Sequence, residues 1–335
     1  MLRLSANETP WGPFPAAREA VARELDVLHR YPRPDDALVA RLSELHGVGP
    51  EHFAVGNGAD AIIGYLSTAL LHAGNEVVMG WPSFPTYAID ARKEHATDVR
   101  VPLRPDGAMD LPAMAAAITP RTRLVWVCTP NNPTGASVTA DELDTFLDAV
   151  PEDVTVIVDE AYFEFAAGPG HVDAVDAFVG HRANVGVLRT FSKLYGLAGL
   201  RIGWFAGPVE LAERLRATRH FYDVIDVAVA AALASLDDEA EVERRRERNR
   251  ELRGRLEAGL DALGVEHLPS DANFVCAIVA DAPTVAAGLA DAGILVRSLD
   301  DLDRPDLLRV TVGAPDEIDR FLEALPGALA GTPAA

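Results

Sequence analysis

Apolar residues gather along this chain in short runs, separated by longer stretches in which they recur every three or four positions. Six runs stand out: EVVMG at 76–80, DVRVPL at 98–103, RLVWVC at 123–128, VTVIVD at 154–159, VGVLRT at 185–190 and RIGWFA at 201–206. They are rich in Val and Ile, and several lack polar alternation, which predicts strands buried on both faces. Helices are expected between them. Thr139 and Glu142 form a capping-box signature ahead of LDTFLDAV. Strand–helix–strand alternation from about residue 54 to 207 predicts an α/β fold with a mostly parallel sheet covered by helices.

After Pro208 the texture changes. A charged helix is expected over roughly 237–263, followed by NFVCAIV, a helix from Pro283, GILVRS, LLRVTVG and a last helix from Pro315. That order reads as a smaller α+β domain, closed by an Ala/Gly/Pro tail after Pro326. The first thirty residues read as irregular and proline-punctuated, wrapping across the boundary. The expected division is a large domain at 32–207 and a smaller one made of 1–31 and 208–335.

Composition narrows the function. At 335 residues the chain holds one large domain or two unequal ones around a sizeable core. A formal charge of −21 argues against nucleic acid, because phosphate neutralisation needs a basic face. The one Arg-rich run, ERRRERNRELRGR, alternates in sign and reads as a solvated, ion-paired helix face. Cys128 and Cys276 lie in apolar runs and make no disulfide framework, which fits a reducing cytoplasm. The start, MLRLSANETP, has no apolar signal core, and VIDVAVAAALASL is too short to span a membrane. A cytoplasmic chain is expected, with no membrane partner and no metal.

The candidate chemistry begins with a lysine. This chain has two lysines, Lys93 and Lys193, against 28 arginines. Lys193 follows VGVLRT and precedes a glycine-punctuated segment, so it falls on a loop at a strand end, where open α/β sheets keep their ligand crevices. A desolvated lysine becomes a nucleophile toward carbonyls; arginine, which does not lose its proton, cannot. Asp159 ends another apolar run. A carboxylate there can hold a pyridinium nitrogen protonated, as a carbanion-stabilising cofactor needs, though alone it reads equally as a turn or cap residue. Tyr162 follows three residues on, placed to donate to a phenolic oxygen. CTPNNPTGA is a turn after a third strand. In GNGADAIIGYL the glycines admit a close backbone approach and a helix N-terminus offers N–H donors. That suits one phosphate at Ala59 and Asp60, with Thr190, Ser192 and Arg201 as further ligands. It is neither a dinucleotide fingerprint nor a Walker loop.

With these residues in view, the sequence resembles the fold-type I, pyridoxal-phosphate-dependent aminotransferases of class I/II over nearly its whole length. Within them it is most similar to histidinol-phosphate aminotransferases and actinobacterial aromatic amino acid aminotransferases. The runs LSANETPWGP, RYP, GNGAD, PSFPTY, CTPNNPTG, DEAYFEF, RTFSKLYGLAGLRIG, ANFV and LRVTVG occur in the family's order. The resemblance implies pyridoxal 5'-phosphate as cofactor and a homodimer. It implies that Lys193 forms the internal aldimine and shuttles the proton, that Asp159 pairs with the pyridine nitrogen, and that Asn132 and Tyr162 bond the ring's O3′. Phe84 would stack on the ring, while Ala59, Asp60, Thr190, Ser192 and Arg201 would hold the phosphate. Tyr31 would reach the cofactor phosphate of the neighbouring subunit. Arg309 would clamp the substrate α-carboxylate, with Asn7 beside it and Arg297 near the distal end.

The implied reaction is ping-pong transamination between an amino donor, L-histidinol phosphate or an aromatic amino acid, and an oxo acid such as 2-oxoglutarate. A lyase, decarboxylase or oxidase on the same scaffold is the alternative. A regulatory binding module is disfavoured by the intact Lys193, Asp159 and Arg309. Two departures concern the substrate. The family carries a further segment before LSANE, with a tyrosine near the substrate phosphate, whereas Met1 stands directly before the motif here. Tyr222, Asp223 and Asp226 stand where relatives carry a proline and small or amide residues. Acids beside a phosphate subsite are expected to repel a phosphorylated substrate, unless they face solvent or cap the helix.

Overall fold

The computed structural model describes residues 1–166 and 170–331. Its strands, in chain order, are β1 (Leu2–Arg3), β2 (Phe53–Gly56), β3 (Glu76–Trp81), β4 (Thr97–Pro102), β5 (Thr122–Cys128), β6 (Thr155–Asp159), β7 (Val185–Thr190), β8 (Gly203–Ala206), β9 (Phe274–Ile278), β10 (Ile294–Leu295), β11 (Arg297–Leu299) and β12 (Arg304–Thr311). The six apolar runs all became strands of one 7-stranded sheet, ordered β2-β8-β7-β6-β5-β3-β4. Only β8 runs against its neighbours. Parallel strands end at one edge of a sheet, so Cys128, Asp159 and Thr190 emerge together there.

The central strands explain the missing alternation. In β5, β6 and β7 nearly every residue is buried, because helices cover both faces. Trp126, Val156, Ile157, Val158 and Val187 sit in a core that also takes Leu143 and Phe146 from the helix Ala140–Ala149. That helix starts in the expected capping box: the Thr139 N–H donates to Glu142, and the Glu142 N–H to the Thr139 hydroxyl.

The boundary differs from the expected one. The helices Val209–Thr218 and Asp226–Leu236 supply Leu211, Leu215, Ala228, Ala231 and Ala232 to this same core, which therefore runs on past residue 207. The opening segment is also less irregular than its prolines suggest. Pro15 starts a helix, Pro15–Glu24, at the position where a missing N–H costs nothing, and the helix buries Ala17 and Ala20.

A second core lies between the long helix Glu239–Ala262, the helices Ala282–Asp291 and Pro315–Ala330, and the antiparallel sheet β11-β12-β9. β1 pairs in parallel with β10, which ties the N-terminus to this unit. The last helix continues through Pro326 to Ala330, beyond the point where a tail was expected. The Arg-rich run does form the solvated face foreseen for it, with ion pairs such as Arg250–Glu247 and Arg248–Glu251. Arg245 is the most buried arginine of the run: it turns inward and donates to the carbonyls of Gly12 and Leu194, bracing the loop that carries Lys193. No helix among the described residues is long and apolar enough to cross a membrane.

Candidate active site

At the C-terminal edge of the large sheet a cavity of about 450 Å³ opens between the two cores, a size that takes a small organic ligand. Lys193 stands in it on the loop after β7, its Nζ 3.5 Å from the carbonyl oxygen of Asn7. Burial first, and then the Arg309 guanidinium, bring its pKa down to about 8. The amine is therefore close to releasing its proton at neutral pH. The other lysine contrasts in every respect: Lys93 is exposed and ion-paired to Asp90.

Asp159, at the end of β6, lines the floor and is buried. Burial pushes its carboxyl up to about 6, against two donors that favour the ionised form. These are the Tyr87 hydroxyl, 2.5 Å from Oδ2, and the Ala161 N–H, 3.0 Å from Oδ1. Tyr87 stacks on Trp126 with ring centroids 4.4 Å apart, which fixes the hydroxyl toward the acid. Tyr87 is a site residue that sequence reasoning missed, although PSFPTY, the run that yielded Phe84, contains it. Phe84 itself lines the cavity, edge-on to Tyr87.

The phosphate-like end is built by the helix Gly58–Leu70. No side chain caps its start, so the first N–H groups, those of Ala59 and Asp60 among them, are open to a ligand. Asp60 turns its carboxylate aside to the Thr86 hydroxyl at 2.8 Å. Two glycines are required here. Gly58 has φ +80° and a Cβ on it would lie 2.6 Å from Nη2 of Arg201; a Cβ on Gly203 would lie 2.7 Å from the N of Ala59. Thr190, Ser192 and Arg201 complete this end, Thr190 donating to the Ser192 hydroxyl at 3.0 Å.

The acids flagged as departures do not reach the cavity; neither Tyr222, Asp223 nor Asp226 lines it. Asp223 is spent on the outer side of the phosphate loop, accepting from the Asn57 N–H at 3.0 Å and the Tyr65 hydroxyl at 2.7 Å. Asp226 accepts from Arg33. Of the two readings, repulsion of a phosphate or a role away from the site, the contacts of Asp223 and Asp226 match the second, as braces whose partners lie far off in sequence. Tyr31 stays outside its own chain's cavity, exposed and stacked on Tyr222 with centroids 4.5 Å apart.

The opposite wall comes from the N-terminal segment and the small sheet. Asn7, in the left-handed region at φ +54°, donates through Nδ2 to the Tyr162 hydroxyl at 2.9 Å and offers its carbonyl to Asn273 and Lys193. Burial pushes the Tyr162 hydroxyl up to about 12, so it stays a donor. Arg309, on β12, bonds Asn132 Oδ1 and the Ser5 carbonyl, while its buried Nε has no partner. A guanidinium that lines the cavity and bonds only neutral oxygens keeps its charge for an incoming anion. Arg297, on β11, lines the mouth. Cys128 also lines the floor, but burial pushes its thiol up to about 12 and keeps it inert. Elsewhere, His46, Asp173 and Asp176 bring ligand-type atoms within 4.8 Å of one another, yet Asp173 is already engaged by Arg189 at 2.7 Å.

An amine of lowered pKa, a buried acid, an uncapped helix start and an arginine bonded only to neutral oxygens therefore face one space. Comparison with known proteins agrees. The sequence matches the family "Aminotransferase class I and II" over residues 1–325. It is 43% identical to an aromatic amino acid aminotransferase of Rhodococcus jostii, over 96% of this chain and 88% of that protein. It is 38% identical to histidinol-phosphate aminotransferase 1 of Dechloromonas aromatica, over 98% of this chain and 90% of that one. Histidinol-phosphate aminotransferase from Sinorhizobium meliloti, solved in complex with pyridoxal-5'-phosphate, superposes with a TM-score of 0.91 at 28% identity, covering 98% of this chain and 90% of its own. The chain belongs to the class I and II aminotransferases.

Proposed function

We propose that this chain is a pyridoxal-phosphate-dependent aminotransferase that moves an amino group from L-histidinol phosphate or an aromatic amino acid to an oxo acid, 2-oxoglutarate in the simplest case. It would act as a cytoplasmic homodimer in which Tyr31 serves the neighbouring site. The observation that carries the reading is the convergence of Lys193, Asp159 and the open start of the helix Gly58–Leu70 on one cavity. The residues fit the cofactor end to end: an uncapped helix start and Arg201 for the phosphate, a braced carboxylate for the ring nitrogen, and Phe84 for a ring face. When bound, pyridoxal phosphate supplies an electron sink for the pair left on a substrate carbon as its proton departs.

The chain's own groups do the rest. Lys193 would hold the cofactor and, as a free amine, would take the proton that leaves the donor's Cα and supply the one that joins the acceptor's Cα in the second half-reaction, a task suited to an amine whose pKa lies near 8. Asp159 stays ionised at neutral pH, since its carboxyl titrates near 6, and holds a proton on the ring nitrogen. Tyr162 and Asn132 orient by donating hydrogen bonds. Arg309, bonded within the protein only to neutral oxygens, would grip the α-carboxylate, or the phosphate that stands at that end of histidinol phosphate.

Two measurements test this. Borohydride reduction of the cofactor-loaded protein, followed by peptide mapping, should place a pyridoxyl tag on Lys193. Glutamate should accumulate when phenylalanine or histidinol phosphate is supplied with 2-oxoglutarate, and Lys193→Ala should lower that turnover by about 10⁴-fold while keeping the fold. A tag on Lys93 or on no peptide, or carbon dioxide released in place of an oxo product, overturns the reading.

A further inference from the structure

The register of β11 on β12 sets Arg297 directly across from Arg309, and both line the cavity. Like charges at facing positions of an antiparallel pair repel, so this pair needs negative charge nearby. Arg309 bonds only an amide and a carbonyl oxygen among the described residues. The compensating carboxylate is Asp301, whose Oδ2 accepts from Arg297 Nη2 at 2.5 Å.

Asp301 sits in the tight turn Asp300–Leu302. The turn follows β11 across a register shift between Ser298 and Leu299 and is pinned on both sides. Asp300 accepts from the Ser298 hydroxyl at 2.7 Å. Asp303, just beyond, accepts from the Trp81 indole at 3.3 Å and lies 3.6 Å from Arg100. With its neighbours tied to other partners, Asp301 is the acid of this turn aimed at a cavity arginine. The same turn contributes Leu299 and Leu302 to the cavity wall. A substrate anion that reaches past Arg309 therefore meets an arginine that is already paired, beside apolar surface.

We propose that Asp301 is a specificity-determining residue: a built-in counter-ion that occupies Arg297 and disfavours substrates that bring to it a phosphate or a second carboxylate, leaving those whose one anion is an α-carboxylate held by Arg309 preferred. This rests on the aminotransferase reading above and selects within it. The pair is partly exposed, with the Arg297 and Asp301 side chains at 41% and 52%, so a substrate phosphate or second carboxylate displaces Asp301 at modest cost. Such substrates are handicapped, not refused.

The test is Asp301→Asn in the cofactor-loaded enzyme. We expect kcat/KM for histidinol phosphate to rise about fivefold, through KM, and KM for 2-oxoglutarate to fall by a similar factor. Phenylalanine should change less than about twofold. In an Arg297→Met background the substitution should have no selective effect. Calorimetric binding of glutarate, a dicarboxylate with no amine to react, supplies a readout independent of turnover. It should bind about fivefold tighter to Asp301→Asn, and no tighter once Arg297 is gone. Equal changes for phenylalanine and histidinol phosphate, or glutarate tightening that persists in Arg297→Met, would overturn the proposal. If no donor is turned over by either protein, the proposed reaction fails, and glutarate still decides the role of Asp301.

Discussion

Two arginine–carboxylate pairs, one in a buried back wall behind the residues that line the cavity and one at its mouth, are used in opposite ways. Behind the floor, Arg189 donates from Nε and Nη2 to one oxygen of Glu160, at 2.8 and 2.7 Å, and the same guanidinium reaches Asp173 and covers the ring of Phe163. Arg189 is 4% exposed and Glu160 fully buried. Burial works against the arginine's charge, yet Glu160, Asp173 and Glu164 together hold its pKa above the usual range. At the mouth, Arg297 and Asp301 meet in water's reach. Depth makes the difference. Water offers either partner at the mouth a substitute, whereas a buried ion that loses its partner has none. A pair that must never open belongs at the back, and one that a ligand must be able to open belongs at the mouth.

The sharpest way to break this comparison is Arg189→Met. It leaves Glu160 buried without its counter-charge, and the expected loss is about 3–5 kcal/mol of unfolding free energy in urea titration. A companion variant, Arg189→Met with Glu160→Leu, removes the stranded charge and should recover most of that loss. Should the single variant lose less than about 1 kcal/mol, the back-wall pair would be no more structural than a surface one.

Asp159 gives the next effect and tests the floor between the two walls. Its carboxyl titrates near 6 in the folded protein against an ordinary 3.8, so the folded state keeps its proton longer than the unfolded chain does. In ligand-free protein this contribution is fully present below about pH 3.8. It is lost as pH rises through 6, a change of about 3 kcal/mol. Asp159→Asn removes the titration. The wild type minus variant difference in unfolding free energy should therefore fall between about pH 4 and 6 and stay flat above. A difference that rises across that window would place the carboxyl pKa below, not above, its ordinary value.

What the sequence made legible follows the same division. Asp159 and Thr190 were legible because apolar runs end at them, and Lys193 because it is one of two lysines and follows such a run; parallel strands bring those ends to one edge whatever the loops do. The phosphate loop was legible because glycines and a helix start are local features. The bracing was not. Tyr87 meets Asp159 across 72 positions, Tyr65 meets Asp223 across 158, and Asn7 reaches Tyr162 across 155, pairings that only the assembled fold creates. Asp223 carries two readings in the sequence, a charge against a phosphate or a solvent-facing cap, because its position next to an Ala-rich helix says nothing of the Asn57 amide it accepts from. The helix at Pro15 was hidden by its flanking prolines. Pro326 was read as a stop, although tertiary packing of Phe321, Leu325 and Ala328 carries the helix through it.

The smallest effect is the most discriminating. Asp301→Asn, which the proposal above expects to alter selectivity, should alter unfolding free energy by less than about 1 kcal/mol, because both partners of the mouth pair are partly solvated and water replaces what either loses. The repulsion between Arg297 and Arg309 that Asp301 offsets is screened at the same exposed site, so raising the salt should shrink even that small loss. Urea titrations at low and high salt measure both. A salt-insensitive loss near 3 kcal/mol would mean that Asp301 holds the turn Asp300–Leu302 together in the way Glu160 holds the back wall. The selectivity change would then have to be reread as distortion of the wall formed by Leu299 and Leu302.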